Sequence, residues 1–369
     1  MSHPVPAVDG VLTSAQVART TASIALMQEA DGAVPWTVGE HVDVWNHVEA
    51  AMALMVAGEV RAAEAAYDWC RTRQRHDGSW AMKTVAGRVE DASGETNMSA
   101  YLAVGVWHHW TLRRDLAFVE RMWPVVRRGL DFVVAMQLPF GGIAWSREWD
   151  DDGPARVNSE ALLAGSSSIY QSLRAGVALA DLMDQPQPEW ELAGGRLGHA
   201  LREHRDLFLD KSTFSMDWYY PVLGGAVRGQ AGLDLLASRW EEFVVPGLGI
   251  RCVDTNPWVT GAETCELVMA LDCLGDHERA LRLYADMQHL RHEDGSYWTG
   301  SVHPEFVFWP HEQTTYTAAA VILAADELSR TTPASGIMRG ETLAQHFREI
   351  ALECGCPEDA SADVFSRRA

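Results

Sequence analysis

No run of apolar residues in the 369-residue chain reaches the ~18–20 positions needed to cross a bilayer. The first ten residues lack the basic head and apolar stretch of a secretory leader, so no signal peptide is expected. Cysteine is sparse: the six at Cys70, Cys252, Cys265, Cys273, Cys354 and Cys356 have no disulfide-framework spacing, which points to reduced thiols and a cytoplasmic protein. Positive charge is also short. Thirty Lys and Arg stand against 51 Asp and Glu, a formal net charge of −21, and the basic residues are scattered singly. A nucleic-acid interface needs them concentrated, so that class is excluded. A Gly-rich phosphate loop between strand and helix is missing, as is Gly-x-Ser-x-Gly. Strand-type alternation is nearly absent outside the turns.

What the chain does have is tryptophan, fifteen residues, about three times ordinary usage. Many recur in an imperfect repeat in which a helix ends near Gln, a Gly turn follows, and then a Trp. The copies are Met27-Gln28…Asp31-Gly32…Trp36, Gln74…Asp77-Gly78-Ser79-Trp80, Met136-Gln137…Gly141-Gly142…Trp145, and Met287-Gln288…Asp294-Gly295-Ser296-Tyr297-Trp298. Two degenerate copies lie at Ser212 to Trp218 and at Gly247-Leu248-Gly249 before Cys252.

Each turn leads into a second helical segment, near 41–58, 95–111, 158–184, 217–240, 258–274 and 312–328. Amphipathic helices alternate with these, for example at 61–75, 115–137, 189–208 and 277–290. Ala50 to Ala57 and Ala318 to Ala325 are apolar all round, as a helix buried on every side must be. The segments 61–75 and 277–290 keep one charged face and suit an outer layer. Six buried helices inside six amphipathic ones describe an all-α, single-domain (α/α)6 toroid over residues 15–330. An N-terminal arm at 1–14 precedes it; 331–369 holds a linker, one helix at 339–352 and a frayed tail.

In such a ring the Trp turns deliver the N-terminal ends of the inner helices to one mouth, and polar residues cluster there. Asp43, Asn46 and His47 stand at i, i+3 and i+4 beside Trp45, which places them on one face. The second helix opens with Glu95 and Asn97, the third with Asn158 and Glu160, and the fourth with Asp217, Trp218, Tyr219 and Tyr220. The fifth carries Trp258, Glu263 and Glu266, and the sixth Glu312 and Gln313 after Trp309. Local N-capping alone explains any one of these positions. Six of them converging on one mouth with aromatics alongside fits a sugar, which has an apolar C–H face and a hydroxyl rim.

Glycoside hydrolysis requires two carboxyl groups, ~6.5–9.5 Å apart when a water must fit between them and ~5–5.5 Å for direct attack. Carboxylates from opposite inner helices suit the wider spacing and hence inversion, with Asp43, Glu95, Asp217, Glu263 and Glu312 as candidates. His289 and His292 have ligand-like spacing but fall at an outer helix and its exit, so neither a metal nor a cofactor is expected.

The six-pair pattern and the Gln…Asp-Gly-Ser-x-Trp turns resemble both the terpenoid cyclases with the protein prenyltransferases and the (α/α)6 glycoside hydrolases. Among the latter, the length, the Asp-Val-Trp-Asn-His segment at 43–47 and the Thr-Gly-Ala-Glu segment at 260–263 resemble the mycobacterial methylmannose polysaccharide hydrolases. That family acts inside α-1,4-linked methylated mannan chains. The resemblance implies an acid/base pair of Asp43 and Glu263, with Asp43 as acid and Glu263 as base or the reverse. The residues gathered at the mouth and expected to bind an oligo- or polysaccharide are Trp45, Asn46, His47, Glu95, Asn97, Asp217, Trp218, Tyr219, Trp258, Trp309, Glu312 and Gln313.

Against the cyclase reading, the only run comparable to an Asp-x-Asp-Asp segment, Asp150 to Asp152, is expected in a loop rather than on a cavity wall. A prenyltransferase zinc site would have to be forced from Cys252, Asp254 and His311. A non-catalytic sugar-binding ring would need no paired carboxylates. No nucleic acid or membrane is an expected partner, and the oligomeric state, a homodimer included, stays open.

Overall fold

The architecture was read from a computed structural model that describes residues 3–150, 152–344 and 347. Its helices are α1 (Ser14–Met27), α2 (Val44–Val56), α3 (Val60–Arg73), α4 (Thr96–Arg113), α5 (Leu116–Val134), α6 (Leu163–Leu182), α7 (Pro188–Glu203), α8 (Ser215–Leu223), α9 (Gly229–Ser238), α10 (Trp240–Phe243), α11 (Gly261–Cys273), α12 (His277–Asp286) and α13 (Thr315–Ser329). Around the axis α2 packs on α4, α4 on α6, α6 on α8, α8 on α11, α11 on α13, and α13 back on α2, so the inner ring closes. Outside it lie α1, α3, α5, α7, α9 with α10, and α12, each against an inner helix. Among the described residues, no helix is long and apolar enough to cross a membrane.

Composition explains the two layers. Every residue of α2 except Asn46 is buried, and α13 is buried from Thr315 to Leu328, because each touches neighbours on all sides. The outer α3 and α12 bury only one stripe, including Tyr67 and Cys70 in α3 and Leu283 and Tyr284 in α12.

The repeat has a physical basis. Gln28 donates through Nε2 to the carbonyls of Gly32 and Ala62, both at 2.9 Å. Gln74 does the same to Gly78 and Val125 at 3.0 and 2.9 Å, and Gln137 to Gly141 and Ala193 at 2.9 Å each. One amide thus ties its own turn to the next outer helix. The Asp side chain braces the turn from within: Asp77 accepts from the Ser79 amide and hydroxyl, and Asp294 from those of Ser296. Glycine is required at the apex: Gly78 has φ +94°, and a Cβ there would stand 2.0 Å from the Arg128 carbonyl oxygen on α5.

The expected helix over 217–240 is two. α8 ends at Leu223, Gly225 turns the chain at φ +89°, and α9 runs back outside. The third inner helix starts at Leu163 rather than 158, because 158–162 complete the connection.

Among the described residues the turns carry ten short strands: β1 (Lys83–Val85), β2 (Arg88–Asp91), β3 (Gly94–Glu95), β4 (Ser146–Asp150), β5 (Gly153–Val157), β6 (Val244–Val245), β7 (Gly249–Arg251), β8 (Trp258–Thr260), β9 (Gly300–Val302) and β10 (Val307–Phe308). They form a β1–β2 hairpin, a β3–β4–β5 sheet and a five-stranded antiparallel sheet ordered β10–β9–β8–β7–β6, all on the mouth side.

Residues 331–344 close the opposite end, where Thr332, Ala334, Ile337 and Met338 are buried. Arg339 pairs with Asp272 at 3.0 Å and with Glu327 at 2.8 Å, and Arg330 reaches Asp272 at 2.6 Å. The described part of the expected helix at 339–352, residues 339–344, consists of turns and bends; apart from Phe347, the rest lies outside the described residues, as do Cys354, Cys356 and the tail.

Replacing Gln137 with Leu should orphan the Gly141 and Ala193 carbonyls and cost about 1–3 kcal/mol for each acceptor left unpaired. A lower urea midpoint for this variant, against an unchanged one for a control Gln230→Leu on the exposed face of α9, is the expected result.

Candidate active site

The mouth is built from caps. Asp43 sits just before α2 with φ −115° and ψ 153°, and its Oδ1 accepts from the Asn46 amide at 2.9 Å while Oδ2 accepts from the Asn46 side chain. His41 Nε2 stands 3.6 Å from Asp43 Oδ2. Glu95 ends β3, caps α4 by accepting from the Met98 amide, and is buried. Burial pushes its carboxyl up to about 7, against the lowering pull of that cap bond, and the charge of Asp43 adds to the rise.

On α11, β8 delivers Thr260 as the cap residue, and Glu263 follows in the first turn. The Thr264 hydroxyl ties this turn to Ile250 of β7. Glu263 is half-buried and accepts from the Cys252 thiol, which burial and the Glu263 charge both push up. Glu312 accepts from the Trp36 indole at 3.0 Å; the Trp36 ring lies against His41 at 5.8 Å and Tyr316 at 5.5 Å. Asp43, His41, Trp36 and Glu312 therefore form one continuous stretch of rim, with Tyr316 packed beneath Trp36.

Below the rim, the Trp45 ring packs on Tyr101 and Tyr316 at 5.4 Å each and on Tyr220 at 6.4 Å. Its indole N–H is buried without a protein acceptor. The side-chain oxygens of Asn46 and Asn97 are likewise buried and unpartnered. Three unsatisfied polar atoms around one opening are what a site for a hydroxyl-rich ligand would leave.

Several expected residues lie elsewhere. His47 is fully buried, with Nδ1 on the Val34 amide at 3.0 Å and Nε2 on the Ala66 carbonyl at 2.8 Å, so it joins α2 to α3. The i, i+4 argument fails because Asp43 is an extended cap residue from which helical register does not count. Trp218 points away from the axis: it stacks on Phe243 at 5.1 Å and donates to the Leu235 carbonyl at 3.0 Å. Tyr219, 0% exposed, lies beneath the floor.

Asp217 lines a cavity of about 460 Å³ beside α8 with Leu163, Arg205, Lys211 and Arg239. It accepts from the Ala164 amide, and burial raises it to about 6. Trp258 and Trp309 meet edge to face at 5.1 Å on the rim, with Trp309 55% exposed. Gln313 bridges Trp298 by backbone pairing. α2 and α11 are not opposite but flank α13.

Asp254, one member of the forced zinc set, is paired with Arg239 at 2.8 Å. Asp150 ends β4 on the β4–β5 hairpin, away from the inner helices.

Sequence reasoning passed over Glu49, Tyr101 and Tyr316, and named Tyr220 only as part of the head of the fourth inner helix. The available signal was an acid in mid-helix, Glu49, within an otherwise apolar segment.

The chain is 57% identical over 352 residues, 95% of its length and 96% of the relative's, to the MMP endo-(1,4)-3-O-methyl-alpha-D-mannosidase of Mycolicibacterium hassiacum. No family model matches it. Among solved structures it resembles a wild-type glycosidase (TM-score 0.66, 17% identity, 86% of this chain and 99% of that one). A D-mannose isomerase follows closely (TM-score 0.65, 10% identity, 86% and 97%). These distant likenesses establish the toroidal fold.

If Trp218 is packing and not a sugar platform, Trp218→Phe will lose the indole bond to Leu235 and about 1 kcal/mol of stability. Substrate KM will stay at the wild-type value; a KM several-fold higher at unchanged thermal midpoint would return Trp218 to the site.

Proposed function

Because the chain belongs to the methylmannose polysaccharide hydrolase family, we propose that its ring, residues 15–330, cuts α-1,4-linked 3-O-methylmannose chains internally, with Asp43 and Glu263 as the acid/base pair. The chain is a glycoside hydrolase; the substrate, the mode of cutting and the residues form the proposal. The observation that carries it is the cap geometry, which sets two carboxyl groups at the heads of α2 and α11 around one aromatic-floored opening. Helices that flank a common neighbour have axes about 14–17 Å apart, given contacts of 8–10 Å between adjacent helices. Side chains reaching inward shorten that span toward the ~6.5–9.5 Å that leaves room for an attacking water. This spacing favours inversion.

The remaining rim residues suit substrate contact. Asn46 and Asn97 offer unpaired amide oxygens to sugar hydroxyls, and Trp45 offers an indole donor. Trp258 and Trp309 present apolar faces on which the C–H and O-methyl surfaces of a methylated sugar can lie. Glu95, raised to about 7, stands beside Asp43 and retains a proton through much of the neutral range. Free Cys70, Cys252, Cys265 and Cys273 accord with a reducing, cytoplasmic setting.

Asp43→Asn keeps a capping side chain and Glu263→Gln keeps its shape, so both variants should fold with wild-type helical circular dichroism. Each is expected to lose on the order of 10²–10⁴-fold in kcat on the methylated polysaccharide, or more. Near-wild-type turnover would remove that residue from the pair. An aryl mannoside with a good leaving group should restore turnover only in the variant that lacks the proton donor, which fixes the order of roles. Proton NMR of the first product formed should reveal the β-anomer; an initial α-anomer would replace inversion with retention.

A further inference from the structure

Beneath Trp45 two carboxyl groups face the ring axis with no cation among their partners. Glu49 projects from α2 and Glu266 from α11, 2% and 1% exposed. Their hydrogen bonding is unequal. Glu266 accepts from three phenols: Tyr220 at 2.7 Å and Tyr316 at 2.9 Å on Oε1, and Tyr219 on Oε2. Glu49 accepts from Tyr101 alone, at 3.0 Å on Oε1, and its Oε2 is buried without a partner. Three converging donors stabilise a carboxylate, and a single donor with a bare oxygen does not. Two carboxylates in one apolar enclosure cannot both stay ionised near neutrality.

We infer that Glu49 and Glu266 act as a divided pair of positioning residues, Glu49 keeping the proton and Glu266 the negative charge, so that Tyr220 and Tyr316 are fixed as the floor on which the reacting sugar rests. The inference builds on the reading of this mouth as the hydrolase site. Glu266 stands one helical turn below Glu263, on the same face of α11, and the phenols it anchors pack against Trp45. Losing that anchor displaces the floor and not the entrance. The groups facing the pair are known from each packed element. α4 contributes Tyr101 and, above it, Glu95. α8 contributes Tyr219 and Tyr220, and α13 contributes Tyr316. From their own helices come Asp43 on α2, and Glu263 and Cys265 on α11. All are acidic or neutral, so nothing in the enclosure offsets a second charge.

Burial raises both carboxyl groups: Glu49 to about 8, with the Asp43 charge adding and the Tyr101 bond opposing, and Glu266 well above the carboxylate range, with the Glu49 charge adding and the Tyr219 and Tyr220 bonds opposing; the count of phenol donors, three against one, assigns the charge to Glu266. A carboxyl raised on folding retains a proton that the unfolded chain gives up near pH 4.3. Its contribution to stability is therefore fully present below that pH and is lost as the pH climbs through about 8.

The test is a set of thermal midpoints from pH 5 to pH 9 for the wild type, Glu49→Gln and Glu266→Gln, with kcat and KM measured alongside. Glu49→Gln is neutral at every pH, so its midpoint should gain on that of the wild type as the pH rises. Glu266→Gln presents an amide to phenols that need an acceptor, so its midpoint should lie below the wild type at every pH. Its kcat should fall on the order of 100-fold with KM within a factor of about two. Should Glu266→Gln fail to fold, Tyr316→Phe keeps the ring and removes one anchor; a smaller kcat loss with the same KM is expected. A Glu49→Gln midpoint running parallel to the wild type would overturn the placement of the proton. Full kcat in Glu266→Gln, or in Tyr316→Phe where the former does not fold, would overturn the positioning role. The midpoints involve no sugar, so they stand or fall independently of the hydrolase reading.

Discussion

Register between repeats is held by the two N–H groups of a glutamine amide. Gln28, Gln74 and Gln137 each spend one on their own turn and one on a carbonyl of the following outer helix. Because both acceptors are backbone, the link fixes the height at which each connection leaves the outer layer, and hence the level at which the next inner helix begins. The caps Asp43 and Glu95 reach a common rim for that reason. Where the clamp is missing, regularity lapses: the fourth repeat has no such Gln and α8 ends after nine residues, and the five-stranded sheet occupies the fifth and sixth connections that follow. Gln288 turns instead to Tyr284 and Tyr297 within its own neighbourhood.

The same residue types serve opposite purposes at the two ends of the ring, and the difference lies in their counter-ions. At the far end, Asp272 and Glu327 meet the guanidinium groups of Arg330 and Arg339. Burial alone would raise Asp272, but its bonds to Arg330, His277 and Arg339 bring it below the ordinary range. Glu327 stays raised by burial despite Arg339, and burial raises its neighbour Asp326 to about 6, so the two ends differ in their counter-ions and not in raised acids alone. At the mouth, Glu95, Glu49 and Glu266 are buried beside other acids with no Arg or Lys alongside, and burial raises all three. Uncompensated carboxyl groups weaken the folded state, and here they gather at the mouth, where the proposed site lies.

The ring was legible in the sequence because its determinants are local. Apolar helices such as 50–57 and 318–325 declare an inner layer, and the Gln, Gly and Trp of each turn recur at readable spacing. The heads of the inner helices were legible too, since caps are short-range features. Side-chain direction was not. Trp218 and Tyr219 are neighbours in sequence, yet one turns outward to Phe243 and the other inward to Glu266, a choice made by the packing of α8 between α6 and α11. His47 was misplaced by counting helical register from a residue with extended backbone. The floor escaped notice as a unit, although Tyr220 and Glu266 were named at their helix heads, because Glu49, Tyr101, Tyr220, Glu266 and Tyr316 meet only when five helices close, and no spacing in the chain encodes that meeting.

Residues 331–344 seal the end of the ring away from the mouth, and the side chains of α2, α11 and α13 fill the space above them. The molecule is therefore a bowl and not a pipe. On the proposed function, a polymer could not be threaded through the ring and would have to lie across the opening, and the fragments would leave by the way the parent came in.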